Sequence, residues 1–504
     1  MRFAFFLPAC ALVAAALVAC DDPSATSKAK HSKDDDSSTP GDGGGGAGPE
    51  LPPEPTTHFE GFASGWAVPE GGQYLAGFND LAGEPGQADD VAMGAQRWRL
   101  VDLDGDGRSE IVVPATAVPR DGYYYWNEVP GYAEQKPFWY VYGNDGKGFA
   151  TGPAAWPVPL GGQHLAGFND LSGEPGQSDD VSMGSQRWRL LDIDGDGRPD
   201  LVVTATAAPR DGYYYWNEVP GYAEQKPFWY VYKNNGAGFD AGPIAWPVPV
   251  GGKHMAGFND VSGEPGEADD VSMGSQRWRM LDVDGDGRSD LVVTATAVPR
   301  DGYYYWSEVP GFVDGAPFWY VFRNNGGGFD AGPIAWKLPV GGKHLAGFND
   351  LSGEPGEGDD VSMGAQRWRV VDINSDGRPD LVVTGEAVAR DGYYYWVQVP
   401  GFGQAPAWQV HLGVDGGFEG AAQSWPVPAG GQHLAGFADL GGEPGQSDDV
   451  EMGADRWRLT DVDGDHRLDI VVTGDAVPRD GYYFWVAVPG FGTAPRWQIY
   501  RGAP

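Results

Sequence analysis

Asp102, Asp104, Asp106 and Glu110 occupy positions 1, 3, 5 and 9 of the segment Asp-Leu-Asp-Gly-Asp-Gly-Arg-Ser-Glu. Four oxygen-bearing side chains at that spacing, with a glycine at position 6 for the sharp turn, suit a hard cation such as calcium. The pattern returns as Asp192, Asp194, Asp196 and Asp200, and again as Asp282, Asp284, Asp286 and Asp290. It then reads Asp372, Asn374, Asp376 and Asp380, and finally Asp461, Asp463, Asp465 and Asp469. The backbone carbonyl at position 7, from Arg108, Arg198, Arg288, Arg378 and Arg467, would add a ligand to each loop. An Asp-rich turn that merely caps a hairpin is the plainer reading, and five copies of one ligand spacing speak against it. The fourth copy replaces a carboxylate with Asn374 and a glycine with Ser375, and the fifth puts His466 where glycine is wanted. A side chain at positive φ costs energy, so these two sites are expected to bind most weakly. At ten times the dissociation constant each bound ion would contribute about 1.4 kcal/mol, and five would contribute about 7 kcal/mol.

A second recurrent set has a different chemistry. Arg-Asp-Gly-Tyr-Tyr-Tyr-Trp ends at Trp126, Trp216, Trp306 and Trp396, with Tyr-Tyr-Phe-Trp485 in the fifth copy. Another stretch carries His164, His254, His344 and His433, with Tyr74 in the first copy, followed by an Asn-Asp or Ala-Asp pair and an Asp-Asp pair. Flat rings stack on the C–H faces of sugars, and carboxylates and amides accept from hydroxyl groups. Three readings stay open here: a glycan site, aromatic packing between repeats with solvated acids, and a further calcium site in the acidic stretch. Each histidine is read as a hydrogen-bonded loop residue rather than a metal ligand, because no Cys or second His shares its spacing.

The elements that must hold these residues follow from the period. The loops start 90, 90, 90 and 89 residues apart, and a fixed long period marks a repeat architecture. In the second copy, Arg187-Trp-Arg-Leu-Leu leads into the acidic loop and Asp200-Leu-Val-Val leaves it. Phe228-Trp-Tyr-Val-Tyr follows, and Gly238-Phe-Asp-Ala-Gly-Pro-Ile-Ala-Trp246 closes the unit. Four short runs rich in β-branched and aromatic residues, bounded by Gly, Asn, Asp and Pro, predict a four-stranded antiparallel meander. A fifth strand is added if Tyr213 to Trp216 also pairs. Strand parity then puts the acidic loop at one end of each meander and both long insertions at the other.

The chain ends predict how the units close. The fifth copy stops after Trp497-Gln-Ile-Tyr500, which matches the third strand, while Gly61 to Pro69 resembles a fourth strand and precedes the first copy. The two halves complete one another if the array is a ring, and closure also protects sheet edges. The expected fold is therefore all-β, a closed five-bladed β-propeller with one calcium loop per blade and its N-terminal strand completing the last blade.

The acidic loop followed by an apolar strand, then an aromatic strand ending Asn-Asn-Gly-x-Gly-Phe, resembles the VCBS/FG-GAP repeat family, to which the integrin α-subunit propeller is similar. The resemblance covers residues 58–504 and is weaker in the two insertions of each unit. It implies a calcium-bound propeller used in adhesion and recognition, and it fixes no ligand.

Residues 3 to 19 are almost wholly apolar, follow Arg2 and end in Leu17-Val18-Ala19-Cys20. This reads as a bacterial lipoprotein signal peptide over 1–20 with Cys20 lipidated, an ordinary signal peptide being the plainer alternative. Cys10 leaves with the signal, so no disulfide is expected in the mature chain. Residues 21–57 are acidic, Gly-rich and Pro-rich, which predicts a disordered tether reaching about 30–35 Å. The expected location is the exported side of a bacterial membrane, held by the N-terminal lipid.

A net charge of −37 makes nucleic acid an unsuitable partner, since that requires a basic face. No nucleophile elbow, His-Glu-x-x-His or phosphate-binding loop occurs. Near-identical repetition also disfavours an enzyme, which needs one asymmetric constellation. The expected function is multivalent binding of glycans by a monomer, through aromatic loops opposite the calcium ions. An envelope or extracellular protein partner is the alternative, and a propeller glycosidase or lyase the third reading.

Overall fold

A computed structural model describes residues 59–69, 98–120, 123–159, 187–210, 213–249, 278–300, 303–339, 368–390, 393–401, 404–428, 457–479, 482–490 and 492–503, together with Leu75, Leu165, Met255, Leu345 and Leu434. The fold is all-β: five small sheets arranged in a ring, a five-bladed β-propeller.

Each blade is the expected meander. In the second blade the strands Trp188–Leu191, Asp200–Val203, Phe228–Tyr232 and Ile244–Pro247 pair antiparallel in chain order. The second strand of every blade is buried along its whole length. A strand sandwiched within its own sheet and between two neighbouring blades has no solvent face, which is why it reads as a continuous Leu/Ile-Val-Val run rather than an alternation. The third strand alternates, with Trp and Val buried and the intervening aromatics half-buried.

The ring closes as the chain ends predict. Ser64–Ala67 pairs antiparallel with Arg496–Tyr500, with Trp66 opposite Trp497. Tryptophan contacts repeat around the circle and include this seam. The third-strand Trp of each blade lies against the first-strand Trp of the next: Trp139 on Trp188, Trp229 on Trp278, Trp319 on Trp368 and Trp408 on Trp457, at ring separations of 5.4–5.5 Å. Trp497 on Trp98, at 5.3 Å, completes the set across the seam. The same third-strand indoles donate to a backbone carbonyl 26 residues onward, as Trp139 Nε1 does to Leu165 O at 3.1 Å and Trp319 Nε1 to Leu345 O at 3.0 Å. Trp497 Nε1 donates instead to Leu75 O, near the other end of the chain, at 3.0 Å. The N-terminal segment thus takes over the role that the next repeat plays elsewhere. Five separate apolar clusters result, each shared between neighbouring blades.

The Tyr-rich segment does pair, but outside the blade. Thr206–Arg210 and Tyr213–Glu218 form a separate two-stranded hairpin, and each blade has its counterpart. All five hairpins carry a register irregularity after their first residue. The meander of each blade therefore stays four-stranded, and in the third blade the short hairpin of Gly413–Val414 and Gly417–Phe418 adds to the outer strand through Lys337 and Gly417.

Candidate metal centres

Each acidic loop joins the first and second strands of its blade, and its position-1 carboxylate organises the turn. Asp102 Oδ1 accepts from the amides of Gly105 (2.9 Å) and Asp106 (3.0 Å), and Oδ2 accepts from Gly107 N at 2.9 Å. Asp192 and Asp282 make the same three bonds. The position-5 carboxylate accepts from the position-7 amide, as in Asp106 Oδ1 to Arg108 N at 2.9 Å. Such side-chain-to-backbone bonds are what allow a turn of this shape to form without helix or ladder partners.

The position-9 acid sits at the start of the second strand and is buried: Glu110 is 4% exposed and Asp200 and Asp380 0%. It links three segments. Asp290 accepts from Val283 N of its own loop and from Asn324 N just beyond the third strand, at 3.4 and 2.8 Å. Asp469 accepts likewise from Val462 N and Gly502 N, at 3.1 and 2.9 Å.

Burial pushes these carboxyls up, Glu110 to about 8 and Asp200, Asp290, Asp380 and Asp469 to about 7, with other carboxylates of the same loop adding to the rise. The position-1 carboxyls of Asp102, Asp192, Asp282, Asp372 and Asp461 are also raised by burial. Packing several carboxylates together while removing water disfavours their charged forms, and a divalent cation reverses that preference.

The residues present fit such an ion. Carboxylate oxygens of Asp102, Asp104 and Glu110 lie within 4.8 Å of one another, as do those of Asp192, Asp194 and Asp196, of Asp282, Asp284 and Asp290, and of Asp461, Asp463 and Asp465. Buried oxygens in three of these loops receive no hydrogen bond: Oδ1 of Asp194, Asp284 and Asp463, and Oδ2 of Asp200. In the same three blades a basic side chain beyond the third strand reaches the position-3 acid. Lys233 contacts Asp194 and lies 3.5 Å from Asp200 Oδ2, Arg323 Nε is 3.3 Å from Asp284 Oδ2, and Arg501 Nε is 3.4 Å from Asp463 Oδ2. These side chains supply positive charge where a cation would otherwise stand.

The fourth loop, with Asn374, gives no such group among the described residues, because a neutral amide replaces the position-3 carboxylate. Ser375 and His466 adopt φ of +59° and +65°, the left-handed conformation that the sequence foreshadows and that costs about 1–2 kcal/mol for a residue with a Cβ. His466→Gly is therefore expected to stabilise the calcium-free chain by about 1 kcal/mol, read as a higher melting temperature in chelator. A lower one would show that the His466 imidazole, which approaches Gly107 of the first loop, contributes more than the backbone strain it imposes.

The position-7 side chains have a role that the sequence reading did not include. Arg108, Arg198 and Arg288 each turn back to pair with the position-5 carboxylate of their own loop. They also lie against the neighbouring loop, since a Cβ on Gly464, Gly105 or Gly195 would stand 2.7–2.8 Å from the Cγ of Arg108, Arg198 or Arg288. Glycine at position 4 thus meets a need for close approach between loops as well as for a positive φ of +74° to +83° in loops one, two, three and five.

Asparagines just beyond the third strand were also missed as structural residues. Asn234 Nδ2 donates to Pro199 O of its own blade at 3.1 Å and to Leu103 O of the preceding blade at 2.8 Å. Asn324 joins Ser289 O and Ile193 O in the same way, and Asn144 joins Ser109 O and Val462 O across the seam. The signal available in the sequence was their constant offset from the preceding aromatic strand.

The aromatic hairpins lie at the other end of the blades. The hairpin leaves the second strand after Val203, which pairs with Trp188 and Tyr230, whereas the acidic loop lies at the end defined by Leu191, Asp200 and Tyr232. Trp126, Trp306, Trp396 and Trp485 occupy register positions opposite Ala117, Ala297, Ala387 and Ala476, while Trp216 falls at the irregularity of its hairpin. His164, His254, His344 and His433 lie outside the described residues, as does Cys20.

No family model matches the chain, and no curated relative does. Among solved structures it is similar to the Photorhabdus luminescens Tc holotoxin pore bearing a TccC3 mutation, at 15% identity and a TM-score of 0.27 over 88% of this chain. It is also similar to the TcdB2–TccC3 structure, at 14% identity and a TM-score of 0.30 over 89% of this chain. The chain spans only 15–16% of the length of those proteins.

Proposed function

We propose that this protein is a calcium-stabilised, multivalent binding module that recognises glycans through its five aromatic hairpins, and that lipidation of Cys20 holds it to the exported side of a bacterial membrane. The observation that carries the reading is the division of each blade. Acidic loops, three of them with unsatisfied buried oxygens, occupy one end, and a Tyr- and Trp-bearing hairpin outside the blade sheet occupies the other. A rigid ring that repeats one hairpin five times presents five equivalent surfaces, and linked weak sites raise avidity by factors of about 10²–10⁴. Binding rather than catalysis fits this near-equivalence, because catalysis needs one site unlike the rest.

A glycan array probed with the full-length chain in millimolar calcium tests the proposal. Binding to a restricted set of glycans is expected. Trp216→Ala and Trp306→Ala together should weaken it at least tenfold, since two of five linked sites are lost. No glycan retained at saturating calcium would sink the lectin reading and leave a protein partner on the same face.

A further inference from the structure

In every blade one residue directly follows the third strand, at the end where the acidic loop lies. Tyr142, Tyr232, Phe322, His411 and Tyr500 pair with the second strand at Ile111, Leu201, Leu291, Leu381 and Ile470. The next residue along therefore holds one register position throughout, and it is Gly143, Lys233, Arg323, Leu412 and Arg501 in turn. The amide after it ties that position to the loop. Asn234, Asn324, Gly413 and Gly502 each donate to the position-9 carboxylate of their blade, at 2.7–2.9 Å.

The five copies differ in charge at this position. Lys233 Nζ reaches two acids of its loop, in contact with Asp194 and 3.5 Å from Oδ2 of the fully buried Asp200. Arg323 and Arg501 reach the position-3 acids Asp284 and Asp463, at 3.3 and 3.4 Å. Gly143 and Leu412 carry no charge. The position-7 arginine does not create this difference, because it pairs with the position-5 acid in loops one, two, three and five alike. A divalent ion bound through the position-3 and position-9 carboxylates needs the oxygens that the ammonium or guanidinium group contacts, and at that range like charges repel. Lys233 and Arg501 also have a second seat. Their charged ends lie 5.5 and 5.9 Å from the rings of Trp246 and Trp66, where a cation stays favoured after it gives up the acid.

We propose that Lys233, Arg323 and Arg501 are built-in competitors for the divalent ion at loops two, three and five, so that loop one, beside Gly143, binds calcium first. The inference rests on the reading of the acidic loops as calcium sites and adds the order in which they fill. Loop four has no competitor but carries Asn374 in place of the position-3 carboxylate. Loop five combines Arg501 with the strained backbone of His466. Neither therefore joins loop one, and the chain takes up one ion at low calcium and the others at higher calcium.

Equilibrium dialysis of the full-length chain against radiolabelled calcium, in low-salt buffer, tests this order. One equivalent should bind more tightly than the other four by about fivefold, the upper end of what a partly exposed ion pair is worth. Lys233→Gln combined with Arg323→Gln should enlarge the tight class from one equivalent to three. Gly143→Lys should remove the tight class, whereas Gly143→Gln, which adds bulk without charge, should keep it. A Cβ at Gly143 meets nothing within 4 Å, so both of these variants fit the fold, and circular dichroism checks that they do. A tight class that stays at one equivalent in the double variant, or a Gly143→Lys chain that binds like Gly143→Gln, would overturn the competition while leaving the loops as calcium sites. Five equal equivalents in the wild type would do the same. No calcium retained by any of these chains would overturn the calcium reading itself, and the competition with it.

Discussion

Excess EDTA is expected to lower the melting temperature of the full-length chain by about 10 °C, and added calcium to restore it. The size follows from about 7 kcal/mol for five ions at ten times their dissociation constants, spread over the unfolding entropy of a domain larger than 250 residues. The buried position-9 acids give the effect a pH signature. Glu110 is raised to about 8 and Asp200, Asp290, Asp380 and Asp469 to about 7 by burial in the calcium-free fold, against about 4 when the chain is unfolded. A folded state that holds protons more tightly than the unfolded one is favoured below the unfolded value and loses that advantage as pH rises through the folded value. In chelator the melting temperature should therefore fall between pH 4 and pH 8. In saturating calcium the trend should weaken or reverse, because the bound form requires these groups ionised. A melt indifferent to EDTA, or one whose pH trend is the same with and without calcium, would remove the metal from the account of stability.

Deleting residues 59–68 is expected to abolish the monomeric ring. The segment supplies the outermost strand of the last blade and Trp66, which is 1% exposed. Roughly 200 Å² of buried indole contributes about 5 kcal/mol at about 25 cal/mol per Å². The loss goes beyond one side chain, because Arg496–Tyr500 would become an open edge with unpaired amides and carbonyls. Arg501, whose guanidinium carbon lies 5.9 Å from the Trp66 ring while Nε approaches Asp463, would lose both Trp66 and the Glu60 amide that its carbonyl accepts from, so the fifth acidic loop should weaken as well. Size-exclusion chromatography should show self-association, and a synthetic peptide of residues 58–69 should restore the monomer by pairing with the exposed edge. A deletion variant that stays monomeric with an unchanged melt would show that the seam contributes nothing.

How much of this was legible in the sequence depended on whether the signal was local or cyclic. The four-strand order, the acidic loops and the strain at His466 are local, since side-chain alternation and turn chemistry act over a few residues. Ring closure was legible because the chain divides one repeat between its two ends, so a long-range pairing left a local trace. The Tyr-rich run was ambiguous because a strand-forming segment does not say which partner it takes, and it pairs with the residues just before it rather than with the blade. The inter-blade bonds of Asn144, Asn234 and Asn324 were not legible, because their acceptors lie 131 and 318 residues away.

What the sequence by itself determined is the content of one blade, written five times in residue spacing. Tertiary structure alone decided which identical residues meet. A register repeated around a ring brings position 7 of one loop against position 4 of another, and stacks each third-strand tryptophan on the next blade. Sequence separation carries no information about distance to a symmetry axis. Closure creates that axis, and only there do residues that are remote along the chain become neighbours.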